Sequence, residues 1–168
     1  MNNRVIKCLP LLLLCLVSFS KTVTAEFRPF YTDSLKQILA DRKGQPFLLV
    51  LWSIDCPPCL SELEHLGKLR NQFTEQGLVL ISTDGSDNTN ATETILTKYG
   101  LKDTESWIFS GNFPEKLRYH IDNTWYGEVP RSYFYNANHQ RTSKSGVLSM
   151  EEIQQWIAAM KQVTTAEK

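Results

Sequence analysis

The sequence predicts an α/β domain built on a central mixed β-sheet flanked by helices. Three observations carry this. Two continuous apolar runs of strand length, Phe47–Trp52 and Leu78–Ile81, are separated by a helical pattern, which is the signature of strands buried on both faces in a parallel unit. Elements of both types alternate through the first two thirds of the chain, as βαβ units require. A β-rich run at Ser132–Tyr135, a turn at Asn136-Ala137-Asn138 and a returning segment at Gln140–Ser143 then add antiparallel strands.

Glu26 to Thr32 reads as a lead-in. Asp33-Ser34-Leu35 opens a short helix with Leu35, Ile38 and Leu39 on one face, and Lys43-Gly44-Gln45-Pro46 ends it. After the strand Phe47–Trp52 and the loop Ser53–Asp55, a helix pattern begins at Cys56. Leu60, Leu63, Leu66, Leu69 and Phe73 recur at steps of three and four until Gly77 stops them. Thr83 to Asn90, rich in Gly, Asp, Asn and Ser, reads as a loop. Thr92–Tyr99 is a short helix capped by Gly100. Ser106–Phe109 is a third strand, and Pro114–Ile121 a helical turn or two. In the last helix, Ser149–Gln162, Ser149 and Glu152 form a capping box and Ile153, Trp156, Ile157 and Met160 the buried stripe.

At 168 residues the chain is one domain long, and residues 1–25 do not read as part of it. Arg4 and Lys7 precede an apolar stretch, Cys8–Phe19, and Val23-Thr24-Ala25 offers small residues for cleavage. That is the layout of a secretory signal peptide. The apolar stretch is about a dozen residues, short of the roughly 20 a membrane span needs. Cleavage after Ala25 leaves a domain over 26–168, and retention of the segment as a membrane anchor is the other reading. Cleavage takes Arg4, Lys7 and Lys21 and no acid, so the formal charge falls from 0 to −3. No basic stretch is left to track a phosphate backbone, which excludes nucleic-acid binding as an expectation.

Cys8 and Cys15 leave with that segment, and Cys56 and Cys59 stay. A bridge this short removes little unfolded-state entropy, so Cys56-Pro57-Pro58-Cys59 asks for a reason beyond stability. Thiol–disulfide exchange needs one thiolate to attack and a second thiol to resolve the mixed disulfide. Cys56 stands where a buried strand gives way to a helix, and free N–H groups at a helix N-terminus stabilise an anion. Known CxxC thiols reach pKa values of roughly 3.5–7.5 this way. Pro57 suits the first helical position. Cys56 is therefore the expected nucleophile and Cys59 the resolving thiol. Two other readings fit the same residues: a plain bridge formed in an oxidising compartment, and a metal site. A closed zinc site needs four ligands, whereas the chain offers one CxxC and the scattered His65, His120 and His139. A redox-linked copper chaperone using Cys56, Cys59 and a histidine is the alternative function. Asp84 to Asn88 has calcium-like ligand types without EF-hand spacing and reads as a turn.

From Phe47 to Glu62 the chain resembles the thioredoxin superfamily, and more narrowly the TlpA-like periplasmic thioredoxins, including those of cytochrome c maturation. The apolar strand, Trp52, three residues, the CxxC and then Glu62 carry the match. Glu128-Val129-Pro130, about 70 residues on, resembles the superfamily's cis-proline loop, and Gly146 before the last helix also fits. The resemblance spans Asp33 to Gln162 and implies a thioredoxin fold. It assigns catalysis to Cys56, Cys59, Glu62 and Pro130, and substrate contact to Trp52, Pro57, Pro58 and Val129. Trp125 has two readings, as a packing residue, the commoner role of such a tryptophan, or, from its place just before the cis-proline loop, as a border of the substrate groove. The resemblance implies no cofactor other than a redox-active Cys56–Cys59 disulfide, and no metal. The expected partners are protein thiols and disulfides and a membrane electron donor, met by a monomer in the periplasm. The chain departs from ordinary thioredoxins at Asp55, where they carry Trp, and at Val50, where they carry a buried acid. A carboxylate at Asp55 disfavours the neighbouring thiolate. TlpA-like proteins place an acid at the position of Glu62, where it would take or return the proton of Cys59. They usually place a Pro shortly after it, where this chain has Leu63-Glu64.

Overall fold

The computed structural model describes residues 27–74 and 77–166, with side chains given to 161. The expected signal peptide, with Cys8, Cys15 and the cleavage site at Ala25, lies outside the described residues. No helix among the described residues is long and apolar enough to cross a membrane.

Among the described residues six strands form one sheet: β1 (Arg28–Phe30), β2 (Phe47–Trp52), β3 (Leu78–Gly85), β4 (Glu105–Phe109), β5 (Arg131–Tyr135) and β6 (Arg141–Ser145), in the order β1-β4-β3-β2-β5-β6. The first four are mutually parallel, β5 runs antiparallel to β2, and β6 runs antiparallel to β5. The expected mixed sheet flanked by helices is therefore present. Among the described residues five helices cover it: α1 (Ser34–Asp41), α2 (Pro57–Lys68), α3 (Thr89–Lys98), α4 (Pro114–Ile121) and α5 (Met150–Ala166).

The alternation along β2 decides which helix goes where. Leu48, Val50 and Trp52 point to the face packed by Leu63 and Leu66 of α2, Leu96 of α3, and Ile153 and Ile157 of α5. Phe47, Leu49 and Leu51 point to the other face, against Ile38 of α1 and Leu117 and Ile121 of α4. All six β2 residues are buried, because a central strand covered on both faces has no solvent side. The Phe47 ring stacks on Tyr135 of β5 at 4.5 Å between centroids. The capping box at the head of α5 is formed: the Glu152 N–H donates to Ser149 Oγ, and the Ser149 N–H donates to the Glu152 carboxylate.

Several boundaries differ from the sequence expectation; α3 begins at Thr89 rather than Thr92, and β6 runs to Ser145 rather than Ser143. The lead-in contains strand β1, which pairs with β4 through Arg28–Trp107 to Phe30–Phe109. Three residues, one of them Pro29 and only Phe30 buried, give no periodicity to read. The helix after the CxxC ends at Lys68 and passes into a 3-10 turn at Arg70–Gln72, so Leu69 and Phe73 keep their inward positions outside regular α-helix. β3 continues past Ile81 to Gly85 through an irregularity in its pairing with β4, and a 3-10 turn at Ser86–Asn88 leads into α3. α5 extends past Gln162 to Ala166.

Candidate active site

Cys56 is the N-cap of α2, in extended conformation, with Pro57 in the first helical turn. The two prolines place no N–H where the first turn would leave one unpaired. Cys56 and Cys59 are disulfide-bonded with their Cα atoms 5.2 Å apart. The Cys59 N–H donates to Cys56 Sγ at 3.2 Å, so the sulfur sits on the helix end where an anion is stabilised. The two cysteines differ in access: Cys59 is fully buried, whereas Cys56 is half-buried and Pro57 and Pro58 are exposed.

The loop that resembles a cis-proline loop lies opposite. The Val129–Pro130 peptide is cis, Val129 is half-buried and its carbonyl lies 3.6 Å from Cys56 Sγ. Residues 73 apart in sequence thus meet because β5 lies next to β2. Trp52 is buried behind this surface in the same cluster as Cys59, and its Nε1 has no hydrogen-bond partner among the described residues. Trp125 is not at the surface assigned to it. It is buried against α4 and β5, and its Nε1 donates to the Glu128 carbonyl at 2.8 Å, so it braces the cis-proline loop from inside. The aromatic side chain exposed there is Tyr126.

Glu62 has 0% exposure. It lies three residues beyond Cys59 on the same face of α2. Ser132 Oγ donates to its Oε1 at 2.7 Å and the Leu148 N–H to its Oε2 at 3.1 Å. Burial raises the Glu62 pKa, against the opposing effect of these two hydrogen bonds and of the nearby Lys144 and His65 charges. Ser132 is the cross-strand partner of Val50, and partners share a face of the sheet. Glu62 therefore brings a buried carboxyl from the helix to the place beside Val50 where ordinary thioredoxins carry their acid on the strand. His65 Nδ1 donates to the Leu148 carbonyl at 2.9 Å. Its ring is thereby tied to the segment before α5, and among the described residues no group of three His, Cys, Asp or Glu side chains comes together to hold a metal ion.

The sequence reads Asp84 only as part of a turn, whereas it lies in β3, and it gives no role to Asp122. Asp122, after α4, is buried and receives the Thr124 N–H and hydroxyl, the Tyr133 hydroxyl and the Arg131 guanidinium. Arg131 follows Pro130 directly and also donates to Ser143 and Ser145 of β6, so this cluster fixes the strand that carries the cis-proline loop. Burial acts to raise the Asp122 pKa, but the Thr124 and Tyr133 hydrogen bonds and the Arg141 charge outweigh it and hold the carboxyl down at about 2. A carboxyl depressed from 3.8 to about 2 stabilises the fold by about 2 kcal/mol above its unfolded pKa. That contribution is lost as pH falls through 2. In urea titrations, Asp122→Asn should be about 2 kcal/mol less stable than the wild type at pH 7, and the gap should close between about pH 4 and pH 2. A gap that is the same at both ends would show that the charge on Asp122 contributes nothing.

No family model matches the chain. Over 63 residues it is 30% identical to the thiol-disulfide oxidoreductase ResA of Halalkalibacterium halodurans, a match covering 38% of this chain and 36% of that protein. The chain thus spans little more than a third of the relative's length. Among solved structures it is similar to a thiol:disulfide interchange protein of the thioredoxin family from Chlorobium tepidum, with a TM-score of 0.57 and 17% identity over 73% of this chain and 83% of the other. It is also similar to a secreted disulfide oxidoreductase of Mycobacterium tuberculosis, with a TM-score of 0.51 and 20% identity over 71% and 85% of the two chains. At such identities the likeness to these structures is one of fold.

Proposed function

We propose that this chain, a member of the thioredoxin superfamily of the TlpA- and ResA-like kind, is a thiol–disulfide oxidoreductase that reduces protein disulfides in the bacterial cell envelope. One observation carries the reading. The dithiol pair caps a helix with its outer sulfur half-exposed, facing the Val129 carbonyl, and its inner sulfur buried three residues from a buried carboxyl.

The chemistry follows from that asymmetry. In the reduced protein, the Cys56 thiolate attacks one sulfur of a substrate disulfide. A Cys56–substrate disulfide forms, and the other substrate sulfur leaves as a thiolate and takes a proton from water. The Cys59 thiol then loses its proton to Glu62 and attacks Cys56 Sγ. This forms the Cys56–Cys59 disulfide and expels the second substrate thiolate. The substrate has gained two electrons and the protein has lost two, so a dithiol donor must restore it. A membrane protein is the donor we assign. Burial keeps Glu62 above the ordinary carboxylate range, which brings it nearer to neutral pH as a proton acceptor. An extended substrate segment would pair with the exposed backbone at Val129 and lie over Pro57 and Pro58, a mode that binds main chain and demands little of sequence. No cofactor is needed beyond the disulfide itself.

The reducing direction rests on the carboxylates around Cys56. Asp55 precedes it, and Asp84 contacts the loop that leads to it. A negative neighbour disfavours the thiolate, and strong oxidants among CxxC proteins are those whose reduced form is stabilised. Export follows from the signal-like segment 1–25, and the domain begins at residue 26.

The direct assay is insulin reduction with dithiothreitol as the donor. Catalytic amounts of the protein should shorten the lag before the insulin B chain precipitates, and Cys56→Ser should return it to the uncatalysed lag. A wild-type lag equal to that of dithiothreitol alone would remove the assignment.

A further inference from the structure

The segment between Trp52 and Cys56 has one anchor outside itself that is well defined. Asp84, the penultimate residue of strand β3, accepts from Ser53 Oγ at 2.8 Å through Oδ1 and from the Ile54 N–H at 3.0 Å through Oδ2. Ser82 Oγ donates to Oδ2 at 2.6 Å and fixes the carboxylate in turn. Next to it, Thr83 Oγ1 donates to the Trp52 carbonyl at 3.2 Å. Two consecutive residues of β3 thus hold the end of β2 and the first two residues of the loop. The loop is short, so after Ile54 only Asp55, whose N–H donates to the clamped Ser53 Oγ at 3.4 Å, stands before the sulfur-bearing residue.

We propose that Asp84 is a positioning residue for the nucleophile: by clamping Ser53 and Ile54 it sets Cys56 as the cap of α2, with its sulfur on the Cys59 N–H and beside the Val129 carbonyl. Nothing in the backbone alone dictates this. Cys56 caps the helix in extended conformation, and with the loop released other residues of the segment compete for that place. The charged or titratable groups facing Cys56 from the elements around it are Asp55 in the loop, Asp84 on β3, Glu62 farther along α2, and Glu128 in the cis-proline loop, which is paired with Ser145 and Arg131. The clamp therefore carries a negative charge as well as a shape, and a test has to separate them.

The inference rests on the redox reading of Cys56–Cys59, and the experiment keeps the two apart. Asp84→Asn and Asp84→Ala have the same charge. Only Asn retains an oxygen for the Ile54 N–H and an amide that Ser53 Oγ can accept from. The rate of iodoacetamide alkylation of Cys56 in the reduced protein, followed against pH, gives the midpoint of thiolate formation and requires no disulfide substrate. The midpoint should lie about one pH unit higher in Asp84→Ala than in Asp84→Asn, because a freed sulfur loses the helix N-terminus. Asp84→Asn should lie below the wild type, because it has lost the charge and kept the clamp. Equal midpoints in the two variants, with unchanged far-ultraviolet dichroism, would overturn the proposal. Should Asp84→Ala not fold, Ser53→Ala removes one arm of the clamp at a half-exposed site. Its midpoint should rise above that of the wild type, and an unmoved midpoint there would equally overturn the proposal. Insulin reduction, measured on the same wild-type protein, reports on the oxidoreductase reading separately. Separated midpoints without insulin reduction keep the clamp and remove the enzyme. Insulin reduction with coincident midpoints does the reverse.

Discussion

Cys59→Ser should stop the protein halfway through exchange and leave it covalently joined to its substrate through Cys56. The serine hydroxyl cannot expel a thiolate from sulfur, so the mixed disulfide has no internal route to resolution. The structure says which half of the pair is trapped. Cys56 is half-exposed and faces the Val129 carbonyl, whereas Cys59 is closed off behind it. Turnover of insulin should fall by at least about 10³-fold in either single variant, as when a covalent nucleophile is removed. Only Cys59→Ser should accumulate the adduct, seen as a dithiothreitol-sensitive band on non-reducing gels. Loss of structure is a poor alternative explanation, because a bridge closing so few residues stabilises the fold by no more than about 2 kcal/mol. Adduct formation by Cys56→Ser through Cys59 would invert the assignment of roles.

The different roles of the two cysteines follow from a strand–helix junction that local sequence encodes. The run Phe47–Trp52, the two prolines after Cys56 and the 3.6-residue spacing from Leu60 to Leu66 are local, and the strand–helix junction they specify is present in the fold. The capping box at Ser149 is local as well. The missing parts depend on partners far away in the chain. β1 exists because β4 offers it an edge. The resemblance names Glu62, but its surroundings in sequence are those of any helix glutamate, and its burial comes from Ser132 and Leu148, 70 and 86 residues away. Asp84 sits among turn-forming residues, and nothing near it in sequence reveals that its donors are Ser53 and Ile54. Trp125 misled for the opposite reason: its nearness to Val129 in sequence suggests a surface contact, while its ring turns inward to the core.

Glu62→Gln should slow the second half of the reaction by about 100-fold near neutral pH, the lower end of what a positioned acid–base group supplies. Glutamine keeps the shape and can accept from Ser132, but it takes no proton. In the wild type the resolution rate should rise as pH passes through the elevated Glu62 pKa. In the variant it should stay low until Cys59 ionises on its own. The alkylation midpoint of Cys56 should move little, since Glu62 serves the inner thiol. Stability carries an independent signature of the same carboxyl. A carboxyl whose folded pKa is raised favours folding while it is protonated, so its contribution is fully present below the unfolded value near 4.5 and is lost as pH rises through the folded value. That slope has the opposite sign to the one from Asp122 and should vanish in Glu62→Gln. Rapid-mixing measurement of mixed-disulfide resolution decides the kinetic point: a Gln variant that resolves at the wild-type rate would leave Glu62 a purely structural group.

Cys56–Cys59 is either a working redox couple or a bridge that forms once and stays. Equilibration of the pure protein with glutathione or dithiothreitol buffers of known potential answers this directly. A working couple should titrate within the span of known CxxC proteins, about −270 to −120 mV, and towards the negative end of it given the carboxylates around Cys56. A potential below about −300 mV, where structural disulfides resist the glutathione pool, would contradict the central claim.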